Sequence, residues 1–261
     1  AIAETWPLLD FSDPAGGAVS GIRRVTLRSG VGGDVLLALE SDDPVPPEIS
    51  IDLPINAVFA GPGGFAENAP LVLAGDDHLT MEAAGRLFRV SAGSFFQVNI
   101  PQAEAMLRYL LDRLPRGRDD LLLEVYAGVG LFTAFLAPRM SRVLAVESNP
   151  PSIDDFVANL DEFDHIELYD GAAEEILPGL DLAPSLVLVD PPRAGLARPA
   201  LDALLRMDAP LLAYVSCDPA TLARDARLLL AAGYRLDSVQ PFDMFPQTYH
   251  IESVSIFEKE T

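Results

Sequence analysis

From about residue 120 onward, short apolar runs alternate with segments of helical period. Runs near 121–126, 142–147, 165–169, 185–190, 210–216, 234–242 and 251–258 have the length and composition of strands, and helical patterns fill the gaps. The first five strand–helix repeats predict an α/β fold with a parallel, doubly wound sheet. The last two strands lack a helix-length gap and predict an antiparallel hairpin at one edge. Ahead of them, RRVTLRS, DVLLALES and EISIDLP are strand-like pieces separated by Gly and Pro clusters such as SDPAGG, GVGG, DPVPPE and AGPGG. This pattern divides the chain into a small, mainly β N-terminal subdomain over 1–88 and an α/β domain over 89–261. Leu87 to Val98 reads as the hairpin leading into the second, and PQAEAMLRYLLDRL as a helix with Pro101 at its first position.

Several strands end on groups with chemistry. LLLEVYAGVGLF (Leu121 to Phe132) runs from an apolar strand into Gly128 and Gly130, which let a backbone approach a ligand closely at the strand's carboxyl end. RVLAVE ends on Glu147, placed on the next strand to accept hydrogen bonds from ribose hydroxyls. The third glycine of the dinucleotide fingerprint is missing, because Thr133 stands in its place, and no GxxxxGK[ST] occurs. A nucleoside cofactor without a pyrophosphate, such as S-adenosylmethionine, fits this set. SLVLVDPPRAGL (Ser185 to Leu196) closes on Asp190, held rigidly by Pro191 and Pro192. The only cysteine, Cys217, lies in SCDPATLARD (Ser216 to Asp225), where a strand runs into a helix whose first N–H groups favour a thiolate. Taken alone, each feature has a structural reading: a buried thiol, a turn, a tight loop. Together they place polar groups where open α/β sheets bind ligands.

With GSFFQVN (Gly93 to Asn99) and DMFPQTYHIESV (Asp243 to Val254) added, the chain resembles the RNA 5-methyluridine methyltransferases, which make C5-methyluracil in transfer and ribosomal RNA. The likeness covers roughly residues 85 to 258 and implies a class I methyltransferase fold, S-adenosylmethionine as cofactor and RNA as partner. SFFQVN, the SCDP cysteine and the terminal HIE carry its specificity.

The resemblance assigns roles. Cys217 is the nucleophile that adds to uracil C6, and Glu252 the base that takes the C5 proton. Gln97 and Tyr126 contact the cofactor with Gly128, Gly130 and Glu147, and Asp190 holds the uracil edge or the cofactor. Ala172 stands where many members place a polar residue beside the adenine, so that contact moves to Asp170. Phe95 stacks on the target base, which must leave its own stack, and Arg193 contacts the substrate. Of Phe95 and Phe96, one is expected in the core. By period alone, HIESVSIF is a half-buried strand with Glu252 on the solvent face. Glu124 either shapes the loop or touches ligand.

Charge complicates the RNA reading. The chain of 261 residues carries a formal charge of −21, and Lys259 is its only lysine. RNA binding draws on a basic surface, for which Arg193, Arg198, Arg224 and Arg227 are candidates, the last two also reading as a solvated helix face. Neither the family's N-terminal RNA-binding barrel nor its cysteine-held iron–sulfur cluster is evident. One cysteine permits no internal disulfide and no such cluster. His78, His165 and His250 show no metal spacing, and only His250 lies near a proposed catalytic residue. Without a leading Met, the chain is expected to be a fragment of a longer protein. No apolar run reaches the roughly 18 residues of a spanning helix, and the expected setting is cytoplasmic. The oligomeric state is not legible. A cofactor- or RNA-binding paralogue without turnover, or a methyltransferase of another acceptor, stands as the alternative.

Overall fold

Strand β1 (Ile22–Ser29) opens the computed structural model, which describes residues 21–47, 54–114 and 120–260. Two compact units emerge, one comprising residues up to Phe95 with Pro150–Asp155, the other Phe96–Asn149 with Phe156 onward.

In the first unit, β1, β2 (Val35–Ser41), β3 (Asn56–Ala60) and β4 (Leu71–Ala74) form a four-stranded sheet in that order. Every residue of β2 is buried. Its two faces feed separate cores: Leu36 and Ala38 pack with Val58, Phe65 and Leu79, whereas Leu37 and Leu39 pack with Ala57 and Phe59. This is the period-two alternation of a strand covered on both sides. The expected strand EISIDLP falls almost wholly outside the described residues.

A separate hairpin pairs β5 (His78–Ala83) with β6 (Arg86–Ser91) through Ala84 and Gly85, both at positive φ (51° and 76°). That is the two-residue turn whose twist matches antiparallel strands. The hairpin therefore lies earlier than Leu87–Val98, and the sequence boundary at residue 88 cuts through β6, whose pairing holds it in the first unit. Beyond β6, the turn Ser91–Ser94 is fastened by the buried Asp155. Its carboxylate accepts from Ser91 N–H at 2.7 Å, Ser91 Oγ at 2.7 Å, Ser94 Oγ at 2.6 Å and Arg89 Nε at 2.9 Å. Arg28 of β1 adds bonds to the carbonyls of Ser91 and Ser94.

The second unit is built on a seven-stranded sheet of β7 (Leu121–Val125), β8 (Arg142–Glu147), β9 (Ile166–Asp170), β10 (Leu186–Val189), β11 (Leu211–Ser216), β12 (Tyr234–Phe242) and β13 (Glu252–Lys259). The order is β12-β13-β11-β10-β7-β8-β9, parallel from β9 to β11, with β13 antiparallel to both its neighbours. This is the parallel sheet and antiparallel hairpin expected from the alternation of runs. Of the hairpin, only β12 lies at a sheet edge; β9 forms the other edge. Because β13 lies between β11 and β12, its first six residues are buried, Glu252 included, and the solvent-face reading of Glu252 is corrected. A half-buried alternation belongs to strands with one wet face.

Helix α1 (Ile100–Arg113) precedes the sheet. Asn99 caps it, accepting from Gln102 N–H, and Pro101 sits in the first turn one residue inside the expected start. Helices α2 (Leu131–Leu136), α3 (Pro150–Asn159), α4 (Ala173–Ile176), α5 (Arg198–Met207) and α6 (Pro219–Ala231) alternate with the strands. The main core of this unit joins Leu123, Val125, Leu144, Val187 and Val189 to Leu201 and Leu204 of α5, Tyr214 and Leu229. Strand order reverses between β7 and β10, and a crevice at their carboxyl ends is the ligand position the topology provides.

Candidate active site

The parallel strands bring Tyr126, Glu147, Asp190 and Cys217 to one edge of the sheet, each at the carboxyl end of its strand. Glu252 begins the antiparallel β13, where Ser253 pairs with Ser216, so it starts at that same edge. Thus the cysteine and its proposed partner carboxylate, far apart in sequence, are neighbours by register.

The loop after β7 is built for close approach. Tyr126 adopts a left-handed backbone (φ 65°) and Gly128 another (φ 57°), and a Cβ on Gly128 would meet nothing within 4 Å. At Gly130 a Cβ would lie 2.7 Å from Leu160 and 3.1 Å from Phe156. The two glycines serve different ends: Gly128 faces open space, and Gly130 lets the loop pack on its own unit. Asn159 secures the loop by donating to Val129 O at 3.0 Å. Glu147 accepts from the N–H groups of Gly128, Ser148 and Asn149, each at 2.8 Å. An ionised carboxylate offers about four acceptor sites, which leaves one free. Beneath the loop, Glu124 is buried and accepts from Thr133 Oγ1 at 2.6 Å. Burial pushes its carboxyl up to about 8, with Asp190 adding to the rise and Thr133 opposing it.

Around Cys217 the field is acidic. Asp190 keeps some exposed surface but is recessed enough that burial, with Glu252 and Glu147, lifts it to about 7. Burial also raises Glu252, and Arg193 opposes that rise. The Cys217 thiol is pushed up by burial, then by Glu252 and Asp190, against the pull of Arg193. This corrects the expectation of a thiolate favoured by helix-start amides. Asp218, not Cys217, caps α6, and its carboxylate takes the N–H groups of Ala220 and Thr221 at 2.8 and 2.9 Å. Burial and the two carboxylates thus favour the thiol over the thiolate at Cys217.

The remaining candidates are spread more widely. Gln97 is buried ahead of α1 in a segment tied to the β12–β13 connection, where Asn99 Nδ2 donates to Met244 O at 3.2 Å. Asp170 ends β9 beside Glu147 and is exposed. Phe95 belongs to the first unit and is 63% exposed, whereas Phe96 is buried, so one of the pair is core. His250 meets Phe245 edge-on and lies in a tilted ring contact with Tyr249. Arg193 makes no ion pair among the described residues; Arg198 pairs with Asp202 on its own helix.

A family model described as tRNA (uracil-5-)-methyltransferase matches residues 74–260. The chain belongs to this family. An uncharacterized RNA methyltransferase of Thermosynechococcus vestitus is 40% identical over 188 residues, 71% of this chain and 42% of that protein. Another from Streptomyces avermitilis is 37% identical over 180 residues, 67% of this chain and 42% of that protein. The chain thus spans about two fifths of the length of these relatives. Among solved structures, the Pyrococcus abyssi tRNA (uracil-54, C5)-methyltransferase in complex with S-adenosyl-L-homocysteine superposes with a TM-score of 0.73 at 25% identity, covering 98% of this chain and 64% of that one. The fold is that of the class I methyltransferases.

For a member of this family, sequence reasoning assigned no role to two buried carboxylates, Asp155 and Asp225. Asp225 accepts from Tyr214 Oη at 2.8 Å and from Leu196 N–H at 2.9 Å. Its position inside the SCDPATLARD run was the available signal. Asp155 stands in a helical stretch without a distinguishing neighbour.

Proposed function

We propose that this chain carries the catalytic part of an enzyme that methylates C5 of a uridine in transfer or ribosomal RNA, using S-adenosylmethionine, in the cytoplasm. The observation that carries the reading is the convergence of Cys217, Glu252, Asp190 and Arg193 at one sheet edge beside a glycine loop fit for a nucleoside.

The residues present fit the cofactor. Gly128 leaves room for a ligand against the backbone, and Glu147 keeps an acceptor for a ribose hydroxyl. Tyr126 is half-buried at the same strand end, its hydroxyl raised to about 12 by burial and so neutral, a donor for a polar group of the ligand. When bound, S-adenosylmethionine supplies an electrophilic methyl group.

Uracil C5 is a poor nucleophile until a thiolate adds at C6 and pushes the ring into an enolate. Cys217 gives its thiol proton to solvent water, and the thiolate then forms the S–C6 bond. Once C5 holds the methyl group, Glu252 removes the C5 proton. The electron pair so released re-forms the C5=C6 bond and expels the thiolate. Burial suits Glu252 to the task by raising its affinity for that proton. Asp190 holds the uracil edge or the cofactor in this reading, and Arg193 supplies a cation that acts on both Cys217 and Glu252. In the first unit, the exposed ring of Phe95 offers a face to an unstacked base. Lys259, gripping Ala232 O and Asp208, is committed to the fold, so contacts to RNA phosphates fall to arginines.

Replacing Glu147 by Ala removes both the ribose acceptor and the clasp on Gly128. A hydrogen bond to a charged group is worth about 1.5–3 kcal/mol, so S-adenosylmethionine should bind roughly ten- to a hundredfold more weakly, while NAD should not bind the parent at all. Calorimetric titration checks both, and an unchanged affinity removes Glu147 from the site.

The function itself is tested with 5-fluorouridine-substituted cellular RNA and S-adenosylmethionine. Fluorine blocks proton removal, so a covalent adduct at Cys217 should accumulate, and sequencing the trapped RNA names its target. Cofactor binding without any adduct at low salt would favour a non-catalytic member.

A further inference from the structure

The DPPRAG segment is held by residues outside it. Pro192 O accepts from Gly195 N–H at 2.8 Å, closing a tight turn with Arg193 and Ala194 at its tip. Gly195 is left-handed (φ 74°), and a Cβ there would lie 2.5 Å from Arg224 Nη2 and 2.7 Å from Asp225 Oδ2. The turn is therefore pressed directly onto α6. Arg224 Nη2 donates to Ala194 O at 2.9 Å and Leu196 O at 3.2 Å, and its Nε to Asp225 Oδ1 at 2.8 Å. Asp225, 1% exposed, holds Leu196 N–H and Tyr214 Oη with its other oxygen. Helix α6 begins just after Cys217, so the element that follows the thiol also grips the turn that carries Arg193.

We propose that Arg224 and Asp225 are positioning residues, whose clamp on the Pro192–Gly195 turn holds the Arg193 guanidinium towards Cys217 and Glu252. Arg224 is thus more than a residue of a solvated helix face. A planar guanidinium is suited to this: one fork reaches two carbonyls and a carboxylate at once. The charged groups around the thiol are Glu252 on β13, Asp190 and Arg193 after β10, and Asp218 at the start of α6. Arg193 is the cation among them, and the clamp sets its place.

The inference rests on Cys217 being the nucleophile but is tested without RNA or cofactor. The rate of Cys217 modification by iodoacetamide is measured against pH for the whole chain. Arg193→Gln should move the midpoint upward and, below it, slow the reaction several-fold. Arg224→Gln should do the same, and the double variant should show no further shift, because Arg224 acts on the thiol only through where it holds the Arg193 guanidinium. Arg224 is 45% exposed, so its variant should fold, as a thermal melt verifies. Asp225→Asn provides a second route to the same shift. An Arg224→Gln profile identical to the parent, effects that add in the double variant, or no shift in Arg193→Gln would each overturn the proposal. Failure to trap fluorinated RNA would instead strike the methyltransferase reading and leave these profiles untouched.

Discussion

Cys217→Ala should form neither covalent adduct nor methylated RNA, whereas Glu252→Gln should attack and methylate but stall with protein attached. The asymmetry follows from the order of the steps. Without sulfur there is no enolate and C5 never becomes nucleophilic, so product should be undetectable. Without a base at residue 252 the methylated adduct still forms, but its C5 proton stays in place and the thiolate cannot leave. Loss of a positioned base typically costs about 10²–10⁴ in rate, so turnover should fall by that factor while the adduct accumulates. Mass spectrometry of each variant mixed with RNA and S-adenosylmethionine separates the outcomes. Turnover surviving in Cys217→Ala would rule out thiol addition and favour a different acceptor.

The second large effect concerns stability. Most carboxylates stabilise a protein more as pH rises; Glu124 should do the reverse. Its folded pKa is raised from 4.5 to about 8. Between those values the folded chain holds a proton that the unfolded chain has released, so stability is fully present below pH 4.5 and is lost as pH climbs towards 8. The slope from one such group is at most about 1.4 kcal/mol per pH unit. Asp190, raised to about 7, has the same sign in a lower window. Glu124→Gln keeps a carbonyl for Thr133 and removes the titration. Melting temperatures from pH 5 to 9 should therefore fall less steeply in the variant than in the parent. Parallel curves would show that Glu124 ionises normally.

The strands of the larger sheet were legible as short apolar runs, continuous in β7, β8, β10 and β11, where both faces are largely buried, and several strand ends carried the polar groups of the proposed site. Less legible was anything decided by a distant partner. Asp155 reaches Ser91 and Ser94 across more than sixty residues, and no local pattern announces such a bond. The β5–β6 turn escaped notice because Ala84 occupies a left-handed position where Asn or Gly would have signalled it. Glu252 looked solvated because alternation reveals which residues share a face but not what covers it. The thiol looked activated because a strand–helix junction promises free amides, and Asp218 had already taken them.

Peroxide attacks thiolates far faster than thiols, and oxidation beyond the sulfenic acid is for most proteins irreversible. Cys217 is the single cysteine of this sequence, so no disulfide within it can form as a rescue. With burial, Glu252 and Asp190 all raising the Cys217 thiol, this cysteine is expected to react slowly with oxidants while no substrate is bound.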